Sequence, residues 1–440
     1  MNVLKIAWRN LLHKPLNTLL SVLLFALSIG LISLLLNLRA QADEQFDNNL
    51  AGVDLVVGAK GSPLELVLNS MYHVGYPTGN ISLGEVRGFF SARNPVVESA
   101  IPLSLGDSYK GYRIVGTIPA LLDWYGAELA EGDLWTEDFT AVIGAEVAAV
   151  NQLKIGDTFR SNHGIIDEGE DNMEHDDDFV VSGILAESGT VMDQVILTTN
   201  QTYWYSHAGH ETAETDAEDH TGHDHAPGEH DHGAHDHAPV RRVVSNDPVA
   251  DLLAADAEEE ITSLLVRYKN ASSFQALSFP RNLNENTELL AANPAYEISE
   301  VRRQFDSGQR ILGILVLAIT IVSSLSIFIA LFSSLRERRY ELALLRVMGS
   351  GRSRLFTLII LEGLLVAFIG YFLGILLSHL ILNLIAGNVS DDFRYSLDAW
   401  RFLAAEGWLL VIALVIAFLA AVFPAISAAR TEIGETLLSR

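Results

Sequence analysis

The chain has 440 residues, 49% of them hydrophobic, no cysteine and a formal net charge of −26. Without cysteine there can be no disulfide staple and no thiolate metal or redox centre. The acidic balance excludes nucleic acid as a natural partner, because a phosphate backbone repels such a surface.

The charge is unevenly spread. Residues 40–310 hold 46 of the 55 Asp/Glu but 15 of the 29 Lys/Arg, a local balance of −31 that leaves the remainder at +5. That basic remainder carries four long apolar runs, at 15–38, 311–335, 355–385 and 403–429, the uncharged part of the last lying between Glu406 and Arg430. About 20 apolar residues cross the hydrocarbon core as a helix, so four transmembrane helices are expected. Lys5, Arg9 and Lys14 precede the first run. Arg336, Arg338, Arg339, Arg346, Arg352 and Arg354 fill the loop between the second and third. By the positive-inside rule the N-terminus (1–14), the loop 336–354 and the tail 430–440 face the cytoplasm. Residues 39–310 and the short loop 386–402 then lie outside. Ala40-Gln41-Ala42 has the small-residue form of a signal-peptidase site. The apolar run before it exceeds the roughly 7–15 residues of a signal core, so an uncleaved helix is expected.

From Asp43 to about Ala51 the first helix continues outward as a polar stalk. A β-like run, Val53 to Val57, follows and breaks at Gly58-Ala59-Lys60-Gly61-Ser62-Pro63. This glycine-lysine string lacks the spacing of a phosphate loop and reads as a turn. Strand-like stretches recur at Tyr112–Thr117, Ala141–Ile143, Phe179–Ile184, Gln194–Thr198 and Thr262–Tyr268. Helix-compatible stretches near Pro119–Gly126 and Glu146–Leu153 alternate with them. The pattern predicts an α+β domain, in two lobes, inserted between the first and second transmembrane helices. The acidic run Asp167–Asp178 reads as a solvated hairpin loop, since it lacks the spacing of a calcium loop. From Ala295 to Arg310 the chain turns helical again and runs into the second span as a second stalk.

Nine of the 14 histidines fall between His207 and His237. Three His-Asp-His copies among Gly, Ala, Pro and Glu leave few apolar side chains to pack, so 207–239 reads as a disordered insert. Imidazole and carboxylate suit Zn²⁺, Ni²⁺ or Cu²⁺, which makes His220, His223, His225, His230, His232, His235 and His237 candidate ligands for zinc or another divalent metal. No other cofactor is expected on this chain.

In the cytoplasmic loop, Tyr340, Leu344, Val347 and Met348 recur at helical spacing and Gly349–Gly351 closes the segment. An amphipathic helix with an apolar face is implied. It either lies on membrane lipid, arginines against anionic headgroups, or docks a cytoplasmic protein. The third span carries Gly363 and the pair Gly370 and Gly374 in GxxxG spacing, a face that lets helices approach closely. Glu362 and His379 are its ionisable groups and therefore functional candidates. Seventeen positions separate them, about 25 Å along a helix, too far to share an ion.

The layout and the string RERRYELALLRVMGSGRSRLFTLIILEGLL resemble the FtsX/MacB-type ABC-transporter permease family. The matching residues are Arg336-Glu337-Arg338, Glu341, Leu344-Leu345-Arg346, Gly349 and Glu362. The tail Phe423–Leu437 is similar to the family's closing pattern, with Gly434 where a proline often stands. Val142–Phe159 and Phe179–Leu197 are similar to its periplasmic core domain. The resemblance implies a permease with no ATPase activity of its own, working as a homodimer in the bacterial inner membrane. ATP would be bound by a separate cytoplasmic ABC ATPase, coupled through Arg336, Glu337, Arg338, Tyr340, Glu341, Leu344, Arg346, Met348 and Gly349. It leaves room for a periplasmic partner protein and for metal-linked export. The histidine-rich insert is no part of the family pattern. A metal sensor or a metal-ion transporter is the competing class, the latter requiring ligands gathered at membrane depth.

Overall fold

Two units organise the chain, Met1–Asp43 with Arg303–Arg440, and Glu44–Arg302. The computed structural model describes residues 3–13, 15–164, 174–207, 243, 247–338, 340, 344, 346–348, 350–393 and 397–430.

Among the described residues, four helices are long and apolar enough to cross a membrane: Pro15–Asn48, Pro294–Glu337, Arg352–Phe393 and Ala404–Ala429. They are called the first to fourth spans. A short amphipathic helix, Val3–His13, precedes them and buries Ala7 completely. The first and second spans each run past their apolar stretch without a break, because no proline or glycine cluster interrupts the polar stalks. Arg39 meets Asp306 at 3.3 Å across the two stalks. Both partners are half exposed, so the pair contributes little stability.

The third-span glycines are packing positions. A methyl group at Gly374 would sit 2.6 Å from Ala26 O, and one at Gly30 would sit 2.8 Å from Gly374 O. At Gly370 it would meet Phe25 Cδ1 at 2.9 Å, and at Gly363 Ala421 Cβ at 2.9 Å. Backbone thus lies against backbone where the first and third spans cross. The glycine face is filled within the chain by the first and fourth spans.

The second unit is built on one ten-stranded sheet among the described residues. Its strands are β1 (Leu55–Ala59), β3 (Val97–Tyr109), β4 (Tyr112–Thr117), β5 (Leu129–Gly132), β6 (Thr140–Ile143), β7 (Thr158–His163), β8 (Glu174–Leu185), β9 (Val195–Thr199), β11 (Ser263–Tyr268) and β12 (Leu289–Ala292). β2 (Ile81–Ser82) and β10 (Glu260–Ile261) form a separate pair. The order is β12-β1-β11-β3-β4-β9-β6-β8-β5, with β7 bridging β3 and β8. The pairs β4–β9 and β6–β8 are parallel, each joined by a long crossover connection. Three apolar clusters line this sheet, around Leu103 and Leu197, around Leu55 and Leu264, and around Phe159 and Phe179.

The turn after β1 is a helix start. Ser62 Oγ accepts from Glu65 N, Pro63 opens the helix Pro63–Tyr72, and His73 closes it in the left-handed region at φ 54°. Lys60 Nζ donates to Asn284 O. The acidic run departs from its expectation as a loop. Its second half, from Glu174, is already strand, because β7 pairs with it from Asn162↔Glu174 to Thr158↔Val180. Stacked Phe159 and Phe179, 5.4 Å between centroids, anchor that ladder, and Arg160 Nε meets Asp178 Oδ1 at 2.7 Å.

Candidate functional site: polar junctions among the membrane helices

Two buried polar junctions tie the apolar helices together. The inner one is centred on Glu362, in the first turns of the third span and 3% exposed. Its Oε1 accepts from Asn10 Nδ2 at 2.5 Å, and Arg338 Nη2 donates to Asn10 O at 3.0 Å. The N-terminal helix, the residue that follows the second span and the third span therefore meet at one asparagine. A carboxylate removed from water needs such donors, since burying a charge without them costs several kcal/mol, roughly.

The outer junction is centred on Glu406, which opens the fourth span and is 3% exposed. Its Oε1 accepts from Ser33 Oγ at 2.5 Å and from Asn37 Nδ2 at 2.9 Å. Its Oε2 accepts from Leu403 N at 3.2 Å, capping its own helix. His379 of the third span donates Nδ1–H to Ala399 O at 2.7 Å and brings Nε2 to 3.4 Å from Glu406 Oε1. Tyr371 OH donates to Glu406 O at 3.0 Å. Trp400, 6.0 Å from the His379 ring and nearly parallel, and Phe402 at 4.5 Å cover the imidazole. First, third and fourth spans are pinned together here.

Glu362 and His379 thus serve different junctions and gather no shared ion site, so the ligands that a metal-ion transporter needs at membrane depth are not brought together by these two. Asn10, Ser33, Asn37 and Glu406 were not singled out by sequence. Ser33 and Asn37 stand at i, i+4 inside the first apolar run and its flank, a spacing that faces one neighbour. Glu406 read only as the boundary of the fourth run.

Among the loop residues, Tyr340, Leu344, Val347 and Met348 are all exposed, at 44–67%. Met348 N donates to Leu344 O at 3.0 Å, as in a helical turn. The Arg336 guanidinium lies 5.1 Å from the Phe332 ring, and Glu337 ends the second span's helix. Arg346 is helical. Glu341 and Gly349 lie outside the described residues, as do the seven candidate histidines from His220 to His237.

Residues 17–223 match the family described as MacB-like periplasmic core domain, and residues 313–433 match the FtsX-like permease C-terminal family. No curated protein matches the chain. Among solved structures, a domain of a provisionally assigned permease protein from Porphyromonas gingivalis is similar at 14% identity, covering 53% of this chain and 76% of that one, with a TM-score of 0.24.

Proposed function

Because this chain belongs to the FtsX/MacB-like permease family, we propose that it is the membrane subunit of an ABC transporter whose ATPase is a separate cytoplasmic protein. As a member it is a multi-pass membrane protein with an extracytoplasmic domain between its first and second spans. The reading places it in the bacterial inner membrane, as a homodimer, with ATP bound only by the partner.

The observation that carries it is the exposed apolar face of the loop after the second span. Tyr340, Leu344, Val347 and Met348 present hydrophobic surface beside Arg346 and Arg352, which suits a groove on a soluble protein. The docked ATPase would push on the end of the second span, which is one helix from Pro294 to Glu337. It would also push on Glu362 through Arg338 and Asn10. Motion then passes to the extracytoplasmic domain along the stalks, with no channel for cargo required. Leu344→Asp and an Arg346 charge reversal together should abolish co-purification with the ATPase and leave membrane insertion intact. Co-purification at the wild-type level would leave the loop as a lipid-facing helix.

The histidine-rich tract adds a metal link to this reading, on ligand density alone. Deleting residues 211–239 should leave expression unchanged and remove most zinc bound by the chain. Unaltered growth of the deletion strain under zinc starvation and zinc excess would reduce the tract to a linker.

A further inference from the structure

Away from the membrane unit, the sheet brings together three side chains that lie far apart in sequence. β3 and β7 pair antiparallel with Asp107 directly opposite His163, so both side chains leave the same face. Gly164 N donates to Gly106 O at 3.0 Å and Ser108 Oγ donates to Gly164 O at 2.5 Å, which fixes the end of β7 at this register. The β3–β4 ladder slips between Leu105 and Ser108, a bulge of the kind that re-aims a side chain. Asp107 lies within it and is 1% exposed.

The third side chain arrives on the helix Asn200–His207. Gly106 is what lets that helix dock, for a methyl group there would sit 2.5 Å from Tyr203 Oη. Tyr203 OH donates to Leu105 O at 3.2 Å, its phenol pushed to higher pKa by burial and by the nearby Asp107 and Glu260. One turn on, His207 packs its ring 4.3 Å from that of Tyr203.

The donor atoms then converge. His207 Nε2 lies 3.3 Å and His163 Nδ1 3.5 Å from the same oxygen, Asp107 Oδ1. All three ligand atoms lie within 4.8 Å of one another. Ligands held about 2.0–2.1 Å from a tetrahedral zinc ion are about 3.3 Å apart, so two of these edges have the length a zinc site needs. His207 Nδ1 is 2.8 Å from Tyr203 O, an acceptor only, so a proton on Nδ1 is held there and Nε2 is the ring nitrogen that faces the carboxylate. His163, whose side chain is 58% exposed, leaves the site open to solvent.

We propose that Asp107, His163 and His207 form a binding site for a zinc-class divalent cation in the extracytoplasmic domain, with a further coordination position left for water or another ligand. Two imidazoles and one carboxylate favour Zn²⁺, Cu²⁺ or Ni²⁺ over Ca²⁺ or Mg²⁺. The site is separate from the seven histidines of the tract and independent of ATPase coupling. His207 is the residue from which the chain enters that tract, so an ion held here is next in sequence to a reservoir of further ligands.

The test uses the full chain, purified in detergent, with every histidine of 208–239 replaced by glutamine to remove the tract's own binding. Calorimetric titration with Zn²⁺ should then show one equivalent per chain. Co²⁺ should give the intense visible bands of tetrahedral coordination. His163→Gln and Asp107→Asn should each weaken Zn²⁺ binding at least about tenfold, the least that even an outer-shell partner is worth. Since His163 is exposed, His163→Gln should melt at the parent's temperature without metal, which keeps the comparison valid if Asp107→Asn fails to fold. No saturable Zn²⁺ binding by the tract-substituted chain, or identical titrations for that chain and His163→Gln, would show the cluster to be a histidine–aspartate ion pair only.

Discussion

Asn37, at the outer end of the first span, donates through Nδ2 to Glu406 Oε1 at 2.9 Å, and both side chains are buried. The bond joins residues far apart in the chain and holds the first span to the fourth. Asn37→Leu removes a donor from a buried carboxylate, which costs about 1–3 kcal/mol. Glu406→Gln keeps an acceptor for Ser33 and Asn37, so it should lose less than Glu406→Leu. Thermal melting in detergent, followed by size-exclusion chromatography, ranks the three. Equal midpoints for Glu406→Gln and Glu406→Leu would mean that the hydrogen bonds do not hold the helices.

The crossing of the first and third spans has no room for a side chain. Gly374→Ala places a methyl 2.6 Å from Ala26 O, backbone that cannot swing aside. A loss of about 1–3 kcal/mol is expected from overpacking. Gly407→Ala, with nothing within 4 Å of the new methyl, is the control and should be neutral or slightly stabilising. If both variants melt alike, the close approach is not a source of stability.

His73 sits at the end of the helix Pro63–Tyr72, and its backbone carbonyl accepts from Arg113 Nε at 3.2 Å. Burial first, then the Arg113 charge, lower its pKa to about 3 from an ordinary 6.5. In that window the unfolded chain takes up a proton that the folded one refuses. The native state is therefore fully favoured above 6.5 and loses stability as pH falls from 6.5 towards 3, by at most about 1.4 kcal/mol per unit. His73→Gln should flatten this part of the profile. A melting temperature that changes equally with pH in both proteins would assign the acid sensitivity elsewhere.

At the inner junction, Asn10 links Arg338 to Glu362. Asn10→Ala and Glu362→Gln should each lower ATP turnover by the reconstituted complex, and the double variant should be no worse than the poorer single one. Such non-additivity marks residues acting through one contact. Fully additive losses would mean that the two positions act independently.

The cysteine-free chain suits topology mapping. A membrane-impermeant maleimide applied to intact cells or spheroplasts should label His225→Cys, and should label Ser353→Cys only after lysis. The reverse pattern would overturn the orientation drawn from the basic loops.

By itself the sequence determined the features that rest on local physics. Length and apolarity fix four spans, since the hydrocarbon core demands about 20 residues. Alternation placed β4 at Tyr112–Thr117, its observed bounds, and found β9 and β11 within a residue. Absent prolines predicted the unbroken stalks. Tertiary structure decided what depends on partners distant in the chain. No spacing rule links Asp107 to His163 and His207, which meet only because β3 pairs with β7 and Gly106 admits Tyr203. Glu406 looked like a span boundary because a charge beside an apolar run normally faces water; donors from the first span make burial tolerable instead. The glycines announced close packing, but only the folded helices show that their partners are the first and fourth spans of the same chain. Periodicity and hydropathy report how one segment meets its solvent. Which residues meet each other is settled by strand register and helix crossing, and the polar sites of this protein lie at those meetings.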